Sequence, residues 1–154
     1  MIRCNPQGMF SGNYDLRGEG HSGTLTFNWL SEQGMLVADR SRHRIRKEGM
    51  LSGRWVLLKG SRKVATAQKS NPFSRTFEIN DDDGALTLRA SNMIGRTFRL
   101  ERGVSLVARI SPLHPLTRKS QIVTTRRHVD FTTLAFAFWL VALTRRRSSQ
   151  SAAH

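Results

Sequence analysis

One segment, Asp130 to Leu143, limits what this 154-residue chain can fold into more than any other. It reads DFTTLAFAFWLVAL and runs into Thr144 and the arginines Arg145–Arg147. Its apolar residues fall on every side of a helix, so no face is left for solvent, and a helix of that kind lies in a protein core or in a membrane. Length separates the two. Phe131 to Leu143 reaches about 20 Å at ~1.5 Å per residue, whereas a bilayer core of about 30 Å takes about 20 apolar residues. Arg126, Arg127 and Asp130 before the stretch and Arg145–Arg147 after it stop it from being lengthened. Asp130 is expected to cap the first turn, and its charge and those of the arginines to suit the two poles of the helix dipole. A core helix is the preferred reading; a tail anchor or re-entrant segment is the alternative.

The chain before this helix reads as strand. Candidate strands are 24–28, 35–39, 43–47, 54–59, 63–68, 76–80, 85–90, 97–101, 104–109 and 121–126, many of them alternating in polarity and rich in Val, Thr, Phe or Leu. Asn80-Asp-Asp-Asp-Gly84, Gly60-Ser61 and Gly103 carry the turn chemistry between neighbouring strands. Strands that surround a helix on all sides must close into an antiparallel β-barrel with the helix as its axle. The expected organisation is a flexible lead-in over 1–13, a barrel over 14–144 with its helix at 130–144, and a disordered basic and polar tail over 145–154.

Four stretches carry a family resemblance: Gly53–Lys69, the hairpin Arg75–Ala90, Gly95–Pro112 and the helix Asp130–Leu143. Short strands followed by one terminal apolar helix resemble the tubby C-terminal-like superfamily, which takes in tubby domains, the LURP-one-related proteins and the phospholipid scramblases. The resemblance implies a closed antiparallel barrel of about twelve strands around a central C-terminal helix. Proteins of this superfamily often lack a known activity, and likeness to tubby domains implies affinity for phosphoinositide headgroups through Lys and Arg on the barrel wall.

Charge points the same way. Lys and Arg number 25 against 11 Asp and Glu, a net charge of +14. Such an excess attracts an anionic membrane surface, an acidic protein or nucleic acid, or else reflects composition alone. Helix-turn-helix, zinc-finger and RNP-type patterns are lacking, which disfavours nucleic acid. Period two sets Arg40, Arg42, Arg44 and Arg46 on one face of a strand, and Lys47, Arg54, Lys59, Arg62 and Lys63 follow closely. These nine are the candidate anion- or lipid-binding residues, since guanidinium forks match phosphate oxygens; the solvated outer wall of a barrel is the plainer reading. Arg118, Lys119, Arg126, Arg127 and Arg145–Arg147 form a second basic group.

Other motifs lead away from chemistry. Gly18, Gly20 and Gly23 fit GxGxxG, but strand follows where a dinucleotide site needs a helix. Asp81–Asp83 lack the alternating ligands and distant Glu of a calcium loop and read as a hairpin tip. Asp130 reads as a cap before it reads as a metal ligand. The histidines have no zinc spacing, Ser22 has no nucleophile elbow around it, and Cys4 lies in the lead-in with no base beside it. Trp29, Trp55 and Trp139 read as core. The expectation is a monomeric, non-enzymatic, cytoplasmic or peripheral-membrane barrel without cofactor or metal. The alternatives are a scramblase-like or tail-anchored membrane protein and a structural or protein-interaction module.

Overall fold

The computed structural model describes residues 1–92 and 95–153. Among the described residues there are twelve strands and one helix. The first six strands are β1 Ile2–Pro6, β2 Tyr14–Gly18, β3 His21–Asn28, β4 Gln33–Ala38, β5 Ser41–Lys47 and β6 Arg54–Lys59. They are followed by β7 Arg62–Lys69, β8 Thr76–Asp81, β9 Gly84–Ala90, β10 Phe98–Arg102, β11 Ser105–Pro112, β12 Ser120–Thr124 and the helix α1 Phe131–Ala152. Each strand pairs antiparallel with the next, and β12 returns to β1 (Ile2 opposite Ile122, Cys4 opposite Ser120), so the sheet closes without an edge.

Alternation sorts the side chains. In β5, His43 and Ile45 point inward while Arg42, Arg44 and Arg46 point out. In β8, Phe77 and Ile79 are buried and Glu78 is exposed. The lumen is filled by α1, whose residues from Thr133 to Thr144 are all buried. The axle leans toward β3 and β4, where Gly23 and Gly34 give it room. A Cβ at Gly34 would come within 2.8 Å of Trp139 Nε1, the group that donates to the Thr26 carbonyl at 3.2 Å.

Up-and-down order gives the barrel two unlike ends. At one end every connection between strands is a two-residue hairpin: Glu19-Gly20, Asp39-Arg40, Gly60-Ser61, Asp82-Asp83 and Gly103-Val104. The longer loops, at 7–13, 29–32, 48–53, 70–75 and 113–119, lie at the other, as do the described residues 91–92 and 95–97. α1 enters at the hairpin end and emerges among the loops.

Four expectations need correcting. Residues 1–13 are not a lead-in: β1 closes the barrel, with Ile2 and Cys4 fully buried, and β2 lies outside the candidate strands. The helix does not end at Thr144 before a disordered tail. It runs to Ala152, because Arg147 meets Glu32 (2.5 and 2.6 Å) and Arg145 donates to the Arg96 carbonyl (2.6 Å) and to Ser120 Oγ (2.8 Å); of that tail, His154 lies outside the described residues. Arg40 is in a turn rather than on the strand face, since Asp39 and Arg40 both have positive φ (45° and 71°), as a twist-matched two-residue hairpin requires. Asp130 occupies the cap position, but its side chain makes no cap bond and contacts His128 instead.

The helix N-terminus is tethered by Asp81. Its side chain is 4% exposed, and it accepts from Thr133 Oγ1 at 3.1 Å and from Arg102 at 3.5 Å. Asp81→Ala is expected to cost about 1.5–3 kcal/mol, the worth of a hydrogen bond to a charged group. Asp130→Ala, which loses a solvated contact, should stay within about 0.5 kcal/mol. Urea unfolding of the two variants measures the difference.

Candidate anion-binding end

The candidate stripe is divided by its neighbours. Arg54, Lys63 and Arg46 surround the Glu48 carboxylate at 2.9, 3.5 and 3.9 Å. Lys47 is held by Glu32 at 2.7 Å and Arg62 by Asp82 at 2.8 Å. Arg40, Arg42, Arg44 and Lys59 have no acidic partner among the described residues. Arg44 stands opposite Leu58 and Arg46 opposite Val56. Val56 and Leu58 belong to the outer face yet are buried, so long neighbouring stems shield apolar wall there while charged heads reach water.

A denser group of arginines occupies the loop end. Arg75, Arg96, Arg118, Arg145 and Arg146 line a cleft of about 800 Å³ between the β1–β2 loop and the last turns of α1. Phe10, Tyr14 and Trp29 supply its apolar wall. No Asp or Glu is among the described residues that line it. The guanidinium groups are placed by neutral acceptors. Arg118 donates to the carbonyls of Gly8, Met9 and Ser11. Arg96 donates to those of Pro115 (2.7 Å) and Thr117 (2.9 Å), and Arg75 to that of Gly95 (2.7 Å). Carbonyls fix position without cancelling charge, so these residues both staple the loops and leave the cleft positive.

Burial, with the nearby Arg96 charge, lowers the pKa of Arg145 to about 10, which keeps it cationic at neutral pH. Arg146 is exposed and lies 4.2 Å from the centroid of the Trp29 ring. Trp29 stacks on Phe27 (4.2 Å, 7°), and Phe27 stacks on Trp139 (5.0 Å, 5°). The rim of the cleft is thus joined to the axle by a continuous ring stack. Trp55 and Trp139 are core, as expected, whereas Trp29 is half-buried at the mouth.

The second basic group is also divided. Arg118, Lys119 and Arg145–Arg147 belong to the loop end, Arg126 and Arg127 to the hairpin end. Arg75 and Arg96 escaped sequence reading because each is an isolated basic residue in its own loop. At the hairpin end, ligand atoms of Asp83, His128 and Asp130 lie within 4.8 Å of one another, all on exposed residues. Three atoms fall short of the six to eight oxygens that calcium takes. The elements of GxGxxG are Gly18 and Gly20 at the β2–β3 hairpin and Gly23 beneath Phe131.

Cys4 faces the lumen, and burial raises its pKa to about 12. The thiolate is the reactive form, so the native chain is expected to resist maleimide at pH 8 and to label fully once denatured. Rapid labelling of the folded protein would show that β1 leaves the barrel.

Among the described residues, no helix is long and apolar enough to cross a membrane. No protein-family model, curated protein or solved structure matches the chain.

Proposed function

We propose that this chain is a non-enzymatic, tubby-like barrel that binds the phosphate headgroups of anionic phospholipids at its loop end. The observation that carries the reading is the cleft lined by five arginines and, among the described residues, by no carboxylate. A concave site of one charge sign with apolar walls focuses its field on an incoming anion, and guanidinium groups are the donors best matched to phosphate oxygens. The closed barrel around a buried terminal helix supports the tubby-like reading of the fold. Arg42 and Arg44, exposed and without acidic partners among the described residues, add attraction along the wall.

Sedimentation of the full chain with phosphatidylcholine vesicles, with and without phosphatidylserine, tests the proposal. Binding is expected only to the acidic vesicles and should fall as salt is raised. Arg146→Glu, which staples no loop and changes the charge by two, should weaken it about thirtyfold, given ~1 kcal/mol for each unit of charge near such a surface. Arg42→Glu with Arg44→Glu should weaken it less. The opposite order would move the site to the wall, and no binding at low salt would end the proposal.

A further inference from the structure

Of the eight most exposed large apolar side chains among the described residues, seven lie at one end of the barrel and one, Val104, in a hairpin at the other. Met9 and Phe10 lie in the β1–β2 loop, Leu30 in β3–β4, Met50 and Leu51 in β5–β6, Phe73 in β7–β8 and Leu116 in β11–β12. Their exposures run from 82% to 101%. All of these loops open at the same end, and because the strands follow one another around the barrel, the tips ring its mouth. Exposed apolar side chains grouped in this way mark a surface that meets a partner or a membrane.

Charge identifies the occupant. Close to the ring stand Lys69, Arg75, Arg96, Arg118, Lys119 and Arg146. The two acidic residues in these loops are already paired, Glu32 with Lys47 and Arg147, and Glu48 with Arg54 and Lys63. The hairpin end mixes exposed Asp39, Asp82, Asp83 and Asp130 with exposed Arg40, Arg62, Arg126 and Arg127, so its charges offset one another and a negative surface favours the loop end. Apolar tips set one or two to a loop on separate loops do not build the shared pocket that a protein anchor fills. A bilayer requires no matching shape: apolar groups enter the boundary of the acyl chains while basic groups stay among the phosphates.

We infer that the loop end inserts its apolar tips into an anionic bilayer, standing the barrel axis across the membrane surface with the hairpins pointing away. This rests on the headgroup-binding reading and adds a second, separable contribution: the cleft recognises phosphate, and the ring of tips recognises the membrane interior.

The test uses the full chain. Because Cys4 is buried, Phe73→Cys and, at the far hairpin, Val104→Cys each create a single accessible thiol for an environment-sensitive fluorophore. On phosphatidylserine-containing vesicles the label at position 73 should brighten, shift to the blue and be quenched by spin-labelled lipid, and the label at 104 should not change. A chain combining Leu30→Ser, Leu51→Ser and Phe73→Ser, none of which lines the cleft, should bind those vesicles about a hundredfold more weakly, about 2.8 kcal/mol at ~1.4 kcal/mol per tenfold. Its affinity for inositol hexakisphosphate, a phosphate-rich probe without a bilayer, should be unchanged.

A label at 73 that stays in water on vesicle-bound protein overturns insertion, as does equal quenching at 104. If the probe binds and vesicles do not, insertion fails while the cleft reading stands, and an acidic protein becomes the partner to seek. If neither binds, both readings fall.

Discussion

A chain carrying Asp in place of Leu140 is expected not to fold. Leu140 is fully buried in α1, and so are Phe136, Phe138, Trp139 and Val141 around it. The substitution removes packing worth about 2–5 kcal/mol and introduces a carboxylate. A carboxylate there must be buried charged and unpaired, or protonated at a further cost. The sum is comparable with the entire stability of a domain, about 5–15 kcal/mol. Phe136→Asp should behave in the same way, and both variants should lose near-ultraviolet circular dichroism and cooperative unfolding. Phe73→Asp, at a tip 96% exposed, is the control that should retain both. A native-like barrel in the Leu140 variant would mean that the helix is a detachable segment and not the axle.

What could be read from sequence follows from where the determining interactions lie. The axle was legible because its apolar residues leave no face for water, a property of the segment alone. The glycine-bearing hairpins were legible because Gly60, Gly84 and Gly103 take up positive φ. β1 was not. It contributes Ile2 and Cys4 to the lumen and ends in Asn5-Pro6, too little for a pattern; its place is fixed by pairing with β12, more than 110 residues away. Arg40 dropped from the stripe because the turn at Asp39-Arg40 carries no glycine.

The site shows the same division. Period two correctly turned Arg42, Arg44 and Arg46 outward, but the ion pairs to Glu48 depend on how the β5–β6 loop returns. Arg145–Arg147 read as a stop to the helix, and only the fold supplies the Arg96 carbonyl and Glu32 that let it continue. One usable signal was overlooked. Phe73 in Asn71-Pro72-Phe73-Ser74, and Met50-Leu51 between Gly49 and Gly53, are large apolar residues set among loop formers. Such residues have no strand to carry them into a core, so their exposure could have been anticipated.

Glu32 joins these themes, and its removal should shift stability and membrane binding in opposite directions. It lies in the β3–β4 loop with positive φ (54°), and its carboxylate accepts from Lys47 at 2.7 Å and from Arg147 at 2.5 and 2.6 Å. Its own carbonyl accepts from Trp55 Nε1 at 2.9 Å. Burial acts to raise its pKa, but the hydrogen bonds and charges of Arg147 and Lys47 outweigh it and hold the carboxyl below its ordinary value of 4.5. A carboxylate with a lowered folded-state pKa stabilises the fold fully above its ordinary range, and the contribution is lost as pH falls through the lowered value. The clamp on the last turns of α1 should therefore hold at pH 5 and above and open only under stronger acid. Glu32→Gln should cost about 2–3 kcal/mol at neutral pH, the worth of charge-assisted hydrogen bonds, and should flatten this acid dependence. The same change releases the positive charge of Lys47 and Arg147 beside the loops. Affinity for phosphatidylserine vesicles should consequently rise about fivefold, at ~1 kcal/mol for one added positive charge near the surface. Urea unfolding across pH together with vesicle sedimentation reads both effects. A variant that is less stable and also binds acidic vesicles less well would show that Glu32 serves the site by holding its shape, and that charge at this end is not what attracts the membrane.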